Sequence, residues 1–148
     1  MKKATILVAG DDMDDRFLLE TAFRETSNGE EELHFVENGI ELMEYLQQVA
    51  RQKDDKAFPE IIILDLNMPK KNGKEALLEI KNHPLYKRIP VIVYTTTRNE
   101  MEVKTCYEMG ANTYIVKPTR FDVLCQVAQS IRTYWLSTAS IPAVVVEL

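Results

Sequence analysis

The alternation of short apolar runs with segments of helical spacing constrains the fold most. Five runs rich in β-branched residues alternate with five segments whose apolar residues recur every three or four positions. Three of the runs are almost continuously apolar, which is typical of strands covered on both faces. The alternation predicts a parallel sheet with helices on both faces and right-handed crossovers. The predicted strands are Ala4–Ala9, Leu33–Val36, Ile61–Leu64, Val91–Tyr94 and Thr113–Val116.

Apolar stripes and end residues predict the helices. The third helix begins near Gly73 and ends before Pro84, because proline cannot continue a helix. The fourth runs from about Asn99 to Gly110, a residue type that often ends helices. The stripes are Leu18, Leu19, Ala22 and Phe23 in the first helix, Leu42, Met43, Leu46, Val49 and Ala50 in the second, Ala76, Leu77 and Ile80 in the third, and Leu124, Val127, Ala128, Ile131 and Trp135 in the fifth.

Charge and composition exclude several function classes. The chain has 18 basic and 23 acidic residues and a net charge of −5, which disfavours binding to nucleic acid or anionic membrane. It contains no apolar run near the roughly 20 residues that span a bilayer, and its first residues lack a signal-peptide core. Cys106 and Cys125 have no CxxC spacing, so we expect buried reduced thiols. We therefore expect a cytoplasmic protein with no nucleic-acid or membrane partner.

Polar residues follow the predicted strands at their carboxyl ends. Gly10-Asp11-Asp12 follows the first strand, and Asp65-Leu66-Asn67-Met68-Pro69 follows the third. Thr95 follows the fourth strand and Lys117 the fifth. In a doubly wound sheet these loops share one rim, where ligands bind. The sequence therefore predicts a site at which carboxylates, a hydroxyl and an ammonium group meet.

This combination suits phosphoryl transfer. Neighbouring carboxylates repel each other unless a cation neutralises them, and Mg²⁺ is usually held by one or two carboxylates. A carboxylate beside Mg²⁺ can attack phosphorus and form an aspartyl-phosphate. Lysine and threonine side chains can then neutralise and hydrogen-bond the phosphoryl oxygens.

Local structural roles compete with these chemical roles. Asp65 lies in a sequence rich in turn-forming residues. Asp11 and Asp12 can cap the first helix. We interpret Asp14 and Asp15 as favouring the helix dipole rather than as metal ligands. Matching polar residues at the other strand ends favour the chemical role for Asp65.

The chain resembles the receiver domains of two-component response regulators. The resemblance implies a flavodoxin-like, doubly wound five-stranded parallel sheet of order 2-1-3-4-5 with five helices. We predict a receiver domain over residues 4–136. Within this family, the chain is similar to the small regulators that partner bacterial phytochromes. The shared features are a long segment between the second helix and the third strand, the ending Tyr134-Trp135-Leu136 and the lack of an output domain. The supporting motifs are Ile6-Leu7-Val8-Ala9 followed by acids, Asp65–Pro69 with Asn72-Gly73, Val91–Thr95, and Gly110-Ala111-Asn112 leading to Tyr114–Pro118.

The resemblance implies a phosphoacceptor and its Mg²⁺ ligands. Asp65 matches the phosphoacceptor, Asp11 matches a direct metal ligand, and Asn67 matches the position whose backbone carbonyl completes the protein ligands. Gly10 departs from the pattern, because its position usually holds an acid. Two outcomes are open. Either Asp12 or a water molecule takes the place of the missing acid, or the affinity for Mg²⁺ falls and phosphorylation becomes slower. A shifted register would instead make Asp11 and Asp12 the acidic pair.

The resemblance also assigns the residues around the phosphoryl group. Thr95 matches the hydroxyl that turns toward it, and Lys117 matches the lysine that contacts it. The peptide bond to Pro118 is expected to be cis. Tyr114 matches the aromatic switch residue, and we favour that role over an ordinary interface-facing tyrosine on an edge strand.

These roles lead to three function hypotheses. In the first, the chain is a signalling switch that assists its own phosphorylation and dephosphorylation, with a histidine kinase or phosphotransfer protein as donor. In the second, it is a degenerate receiver that binds partners without phosphorylation. A phosphatase of the haloacid dehalogenase type is disfavoured, since its second aspartate position holds Asn67. The apolar tail, residues 137–148, either folds back or forms an arm for a homodimer.

Overall fold

A computed structural model describes residues 3–27, 29–52 and 58–142. A short 3₁₀ turn lies at Tyr86–Arg88, and the last helix continues as a π-helical segment, Arg132–Thr138. The strands in this part of the chain are β1 (Ala4–Ala9), β2 (Glu31–Val36), β3 (Ile61–Leu64), β4 (Val91–Thr95) and β5 (Thr113–Val116). The α-helices are α1 (Met13–Glu25), α2 (Gly39–Gln52), α3 (Gly73–Asn82), α4 (Glu100–Glu108) and α5 (Phe121–Ile131).

The strands form one parallel sheet in the order β2-β1-β3-β4-β5, as predicted. The three central strands are almost entirely buried, which explains their continuous apolar sequences. The chain leaves β1 for β2 on one side and later returns to β3 on the other. The carboxyl ends of β1 and β3 therefore lie side by side at the point where the strand order reverses.

Helices cover both faces of this sheet. Successive residues of β1 point to opposite faces, so that Ile6 and Val8 pack toward α1 and α5, while Leu7 and Ala9 pack toward α2 and α3. In α1 the buried stripe is Leu19, Ala22 and Phe23. The predicted inclusion of Leu18 was wrong: its side chain is 41% exposed, because one residue turns the helix by about 100°.

Two other burial predictions need correction. In the last helical region, Leu124, Ala128 and Ile131 are buried, whereas Val127 and Trp135 pack at the margin of the core and are only partly buried. Both cysteines are free thiols, but only Cys106 is buried and Cys125 is partly exposed.

Capping residues fix the helix ends. The side chain of Asn72 accepts a hydrogen bond from the backbone of Glu75, whose carboxylate accepts one from the Asn72 backbone, so a capping box starts α3. The side chain of Asn99 caps α4. Gly110 follows α4 with a φ of +107°, a conformation that favours glycine and stops the helix as predicted.

Parts of two predicted segments lie outside the described residues. The charged run at residues 51–56, which the sequence places between the second helix and the third strand, is described only through Gln52. The apolar tail, residues 137–148, is described only through residue 142, and in that part Ile141 packs against the core beside α1 and α5. Among the described helices, none has the length and apolar character to cross a membrane.

Candidate functional site

The carboxyl ends of β3, β4 and β5 bring three predicted site residues to one rim. Asp65 directly follows β3, and its backbone N–H donates to the carbonyl of Ala9 at the end of β1. The backbone N–H of Lys117 donates to the Thr95 carbonyl at the end of β4, at 2.7 Å. Hydrogen bonds between neighbouring strands therefore fix the backbone positions from which these side chains extend.

The carboxylate of Asp65 is held through both of its oxygens. Oδ1 accepts a hydrogen bond from the backbone N–H of Asn67 at 3.0 Å, and Oδ2 accepts one from Nζ of Lys117 at 2.6 Å. The side chain is 11% exposed, so it lies in a largely buried setting with an opening to solvent. Charge-assisted contacts of this length fix the orientation of the carboxylate.

Lys117 lies between two carboxylates. Its Nζ is 2.5 Å from Oδ2 of Asp15 in addition to its contact with Asp65. Burial alone would lower the pKa of Lys117, but the hydrogen bonds and the attraction of the two carboxylates raise it above its ordinary value. The same surroundings raise the pKa of the nearby Tyr94, through burial first and then through Asp15 and Asp65.

Sequence reasoning missed Asp15 as part of this site. The interpretation as a residue that favours the helix dipole fits its place in the first turn of α1. Asp15 contacts Lys117, which lies 102 positions later in the sequence. Local sequence patterns do not predict contacts between residues with so large a sequence separation. One sequence feature could have indicated this role. Asp15 lies in the first helical turn after the loop that joins β1 to α1, and that loop lies at the rim.

Thr95 carries a buried hydroxyl without a partner. Thr95 is fully buried, and its Oγ1 makes no hydrogen bond. The other buried side-chain oxygens and nitrogens of the described residues have partners. Leaving a buried hydroxyl unpaired costs about 1–3 kcal/mol. An unpaired donor at the end of β4, next to the strand that carries Asp65, is suited to a ligand oxygen entering the site.

The remaining predicted metal ligands lie at the exposed side of the rim. Asp11 and Asn67 are exposed. Asp12 is exposed as well, and its Oδ1 caps α1 by accepting from the Asp15 backbone at 3.0 Å. Within the described ranges no group of three His, Cys, Asp or Glu side chains is arranged to hold a metal ion. Mg²⁺ needs only one or two carboxylates and keeps several waters, so two carboxylates and one carbonyl fit it.

Gly10 leaves room beside Asp65. A Cβ atom placed on Gly10 would lie 3.5 Å from Cβ and 3.9 Å from Oδ2 of Asp65, which are ordinary contact distances. A cavity of about 20 Å³, large enough for one water, is bordered there by Gly10, Asp15, Asp65 and Lys117 among others. The backbone thus accepts a side chain at position 10, and the chain simply lacks one.

Tyr114 connects β5 with the loop that follows β4. Its hydroxyl donates to the carbonyl of Thr97 at 2.8 Å, and its backbone N–H donates to the hydroxyl of Tyr107 on α4. Burial raises the pKa of Tyr114, and Cys106 and Glu102 add to this effect. The side chain is partly buried, so it is tied to the β4–α4 loop rather than free in solvent.

The expected cis peptide before Pro118 was wrong. The described residues contain no cis peptide bond, so the bond from Lys117 to Pro118 is trans. The ammonium group of Lys117 still reaches both carboxylates, because the backbone N–H of Lys117 is anchored to β4.

We predict that Gly73→Ala destabilises the protein by about 2 kcal/mol, because it overpacks the loop that carries Asp65. The new Cβ would lie 2.6 Å from Cα of Leu66 and even closer to the carbonyl oxygen of Asp65. Urea unfolding of this variant and of Gly10→Ala measures the effect. Gly10→Ala adds the same methyl group at ordinary contact distances and should change stability by less than about 1 kcal/mol. Equal effects of the two substitutions would contradict the prediction.

The family comparison covers most of the chain. The family described as the response regulator receiver domain matches residues 6–129. The chain is 39% identical to response regulator Rcp1 of Synechocystis sp. over 141 residues, which cover 95% of this chain and 94% of Rcp1.

Solved structures agree with the sequence comparison. The phosphorylated cyanobacterial phytochrome response regulator RcpA superposes with a TM-score of 0.82 at 38% identity, covering 95% of this chain and 99% of that chain. The Mn²⁺-bound form of response regulator Rcp1 gives 0.81 at 38% identity, with the same coverage. The strand order, the rim residues and these matches lead to one conclusion: the chain belongs to the response regulator receiver domain family of two-component systems.

Proposed function

We propose that this protein is a phosphorylation-controlled switch that accepts a phosphoryl group on Asp65 from a sensor histidine kinase or a phosphotransfer protein. The observation that carries the proposal is the contact of 2.6 Å between Asp65 and Lys117, next to the strand that carries the unpaired hydroxyl of Thr95. A carboxylate, an ammonium group and a free hydroxyl donor are the groups that form and hold an aspartyl-phosphate.

The proposed reaction forms one bond and breaks one. An oxygen of Asp65 attacks the phosphorus of a phosphohistidine, the phosphorus–nitrogen bond breaks, and the departing imidazole keeps the electron pair and takes a proton from solvent. Lys117 neutralises charge on the phosphoryl oxygens, and the Thr95 hydroxyl donates a hydrogen bond to one of them. The Asn67 backbone N–H keeps the carboxylate oriented.

Asp11, Asp65 and the Asn67 carbonyl are the proposed Mg²⁺ ligands, with Asp12 as an additional candidate. When bound there, Mg²⁺ supplies positive charge that offsets the negative charge of the incoming phosphoryl group. The described donors fit this cation, and two similar proteins support the proposal. Rcp1 has been crystallised in an Mn²⁺-bound form, and RcpA in a phosphorylated form.

We propose that Tyr114 and the β4–α4 loop transmit the new charge. Movement of the Thr95 hydroxyl toward a phosphoryl group displaces the residues that follow it, and the Thr97 carbonyl holds the hydroxyl of Tyr114. Breaking that hydrogen bond would free the ring to change position, so that the surface formed by α4 and β5 exists in two states.

The proposal includes a cytoplasmic setting and a protein partner. The RcpA match favours a kinase of the phytochrome type as the donor. We propose that residues 4–136 form the receiver domain and that the tail, residues 137–148, either folds back on this domain or forms an arm for a homodimer. An acidic chain with a net charge of −5 gives no support for nucleic acid or membrane partners.

Labelling with a small phosphodonor tests the function. We expect acetyl phosphate with Mg²⁺ to add one phosphoryl group, seen as an acid-stable and base-labile mass increase, and we expect EDTA to prevent it. A phosphotransfer assay with a phytochrome-type kinase then identifies the donor. Failure of labelling at millimolar Mg²⁺, with no Mg²⁺ binding by calorimetry, would favour the second candidate, a degenerate receiver that binds partners without phosphorylation. Gly10 is the observation that motivates this alternative.

A further inference from the structure

The site contains an ion pair that the proposed phosphorylation chemistry does not require. Lys117 could neutralise Asp65 alone, yet its Nζ is shared with Asp15 at 2.5 Å. Asp15 lies on α1, and its backbone N–H donates to the side chain of Asp12, so the first turn of the helix fixes where the carboxylate begins. This arrangement occurs in a chain whose first acidic position is Gly10.

We infer that Asp15 is a positioning residue that compensates for Gly10, by drawing Lys117 partly away from Asp65 and supplying the negative charge that attracts the divalent cation. The inference rests on the proposed function and concerns the same site. It gives Asp15 a role beyond its favourable position at the start of α1.

The geometry places Asp15 and the missing side chain on the same side of Asp65. A Cβ on Gly10 would lie beside Oδ2 of Asp65, at 3.9 Å. That oxygen is the one that Lys117 contacts, and Lys117 in turn contacts Asp15. All four residues border the same small cavity. A carboxylate introduced at position 10 would therefore begin beside the cavity that the carboxylate of Asp15 already borders.

The charges support the same conclusion. Apart from Asp12, whose carboxylate caps α1, the groups Asp11, Asp65 and Lys117 carry a formal charge of −1 from two carboxylates and one ammonium group. Asp15 lowers this to −2, which is the value that an acid at position 10 would give without Asp15. The Asp15 side chain is 38% exposed and that of Lys117 is 11% exposed, so solvent screens the pair only in part.

Cation titration of the full chain tests the inference. We expect Asp15→Asn to weaken Mg²⁺ binding, measured by calorimetry without phosphodonor, by about tenfold, since one nearby charge is lost and Lys117 turns fully to Asp65. Asp14→Asn is the matched control: it lies on the same turn, is exposed and removes the same charge. It should change the affinity by less than about twofold.

A rescue experiment separates compensation from a merely structural role. Adding Gly10→Asp to Asp15→Asn should restore the Mg²⁺ affinity to within about threefold of wild type, because the lost charge returns beside the same oxygen. If Asp15 only stabilised α1, this second substitution would leave the affinity low. Urea unfolding of each variant checks that the fold is retained.

Three results would overturn the inference. Equal affinities of Asp15→Asn and Asp14→Asn, or no rescue by Gly10→Asp, would overturn it while leaving the proposed function intact. Absence of Mg²⁺ binding by the wild-type chain would overturn the proposed function and this inference together.

Discussion

Replacing Asp65 by Asn is expected to abolish labelling by acetyl phosphate, lowering the rate by at least about a thousandfold. The amide has nearly the same shape as the carboxylate but no nucleophilic oxygen anion. It also removes one of the proposed ligands of Mg²⁺. Mass spectrometry of the intact chain, after incubation with donor and Mg²⁺, measures the loss.

The fold should survive this substitution, which makes the result interpretable. Lys117 keeps its ion pair with Asp15, so its charge is not left unpaired. The exposed Asp122→Asn substitution on α5 removes the same charge from a carboxylate that pairs with Arg120 and not with Lys117, and it should label at the wild-type rate. Equal labelling of the Asp65→Asn variant would show that phosphorylation occurs at another residue and would end the assignment.

Replacing Arg132 by Met is expected to destabilise the fold by about 3–5 kcal/mol, the largest stability change that we predict. Arg132 donates to Oε1 of Glu31 at 2.5 and 2.8 Å, and Glu31 is only 2% exposed in its side chain. The substitution leaves this carboxylate buried without its cation. It also removes the hydrogen bonds to the carbonyls of Thr26 and Phe23 at the end of α1.

Chemical denaturation of Arg132→Met measures this effect. Arg24→Met is the control, since Arg24 forms an exposed pair with Glu20 and should change the free energy of unfolding by less than about 1 kcal/mol. Adding Glu31→Gln to Arg132→Met should recover part of the loss, because the buried charge is then removed as well. A loss below about 1 kcal/mol for Arg132→Met would show that solvent enters and hydrates Glu31.

The strands were the most predictable part of the molecule. β1, β3 and β5 have the predicted bounds, and β4 is longer by one residue, Thr95. β2 is longer by two residues: the Glu31 side chain is buried there in its ion pair with Arg132, and Glu32 is exposed at the edge of the sheet. Apolar runs do not extend over the two glutamates that begin β2, whereas β5, the other edge strand, contains no charged residue and has its predicted bounds.

The rim was predictable because the topology fixes it. Once strands alternate with helices, the residues after β3, β4 and β5 must meet, and the structure brings Asp65, Thr95 and Lys117 to that rim. The pairing of Lys117 with Asp15 was not predictable, because it depends on how α1 packs against α5 over the sheet. The trans bond to Pro118 is likewise not marked in the sequence, since proline allows both isomers.

Local sequence patterns predict the order and type of the elements and the residues that stand at the ends of the strands. These properties follow from the periodicity of apolar residues and from the way in which strands and helices alternate in parallel sheets. Tertiary packing sets which charges pair, as with Lys117 and Asp15 or Arg132 and Glu31, and it leaves the buried hydroxyl of Thr95 without a partner among the described residues. Such contacts depend on distances of a few ångströms between residues about one hundred positions apart. Packing of whole helices sets those distances, and no local pattern encodes them.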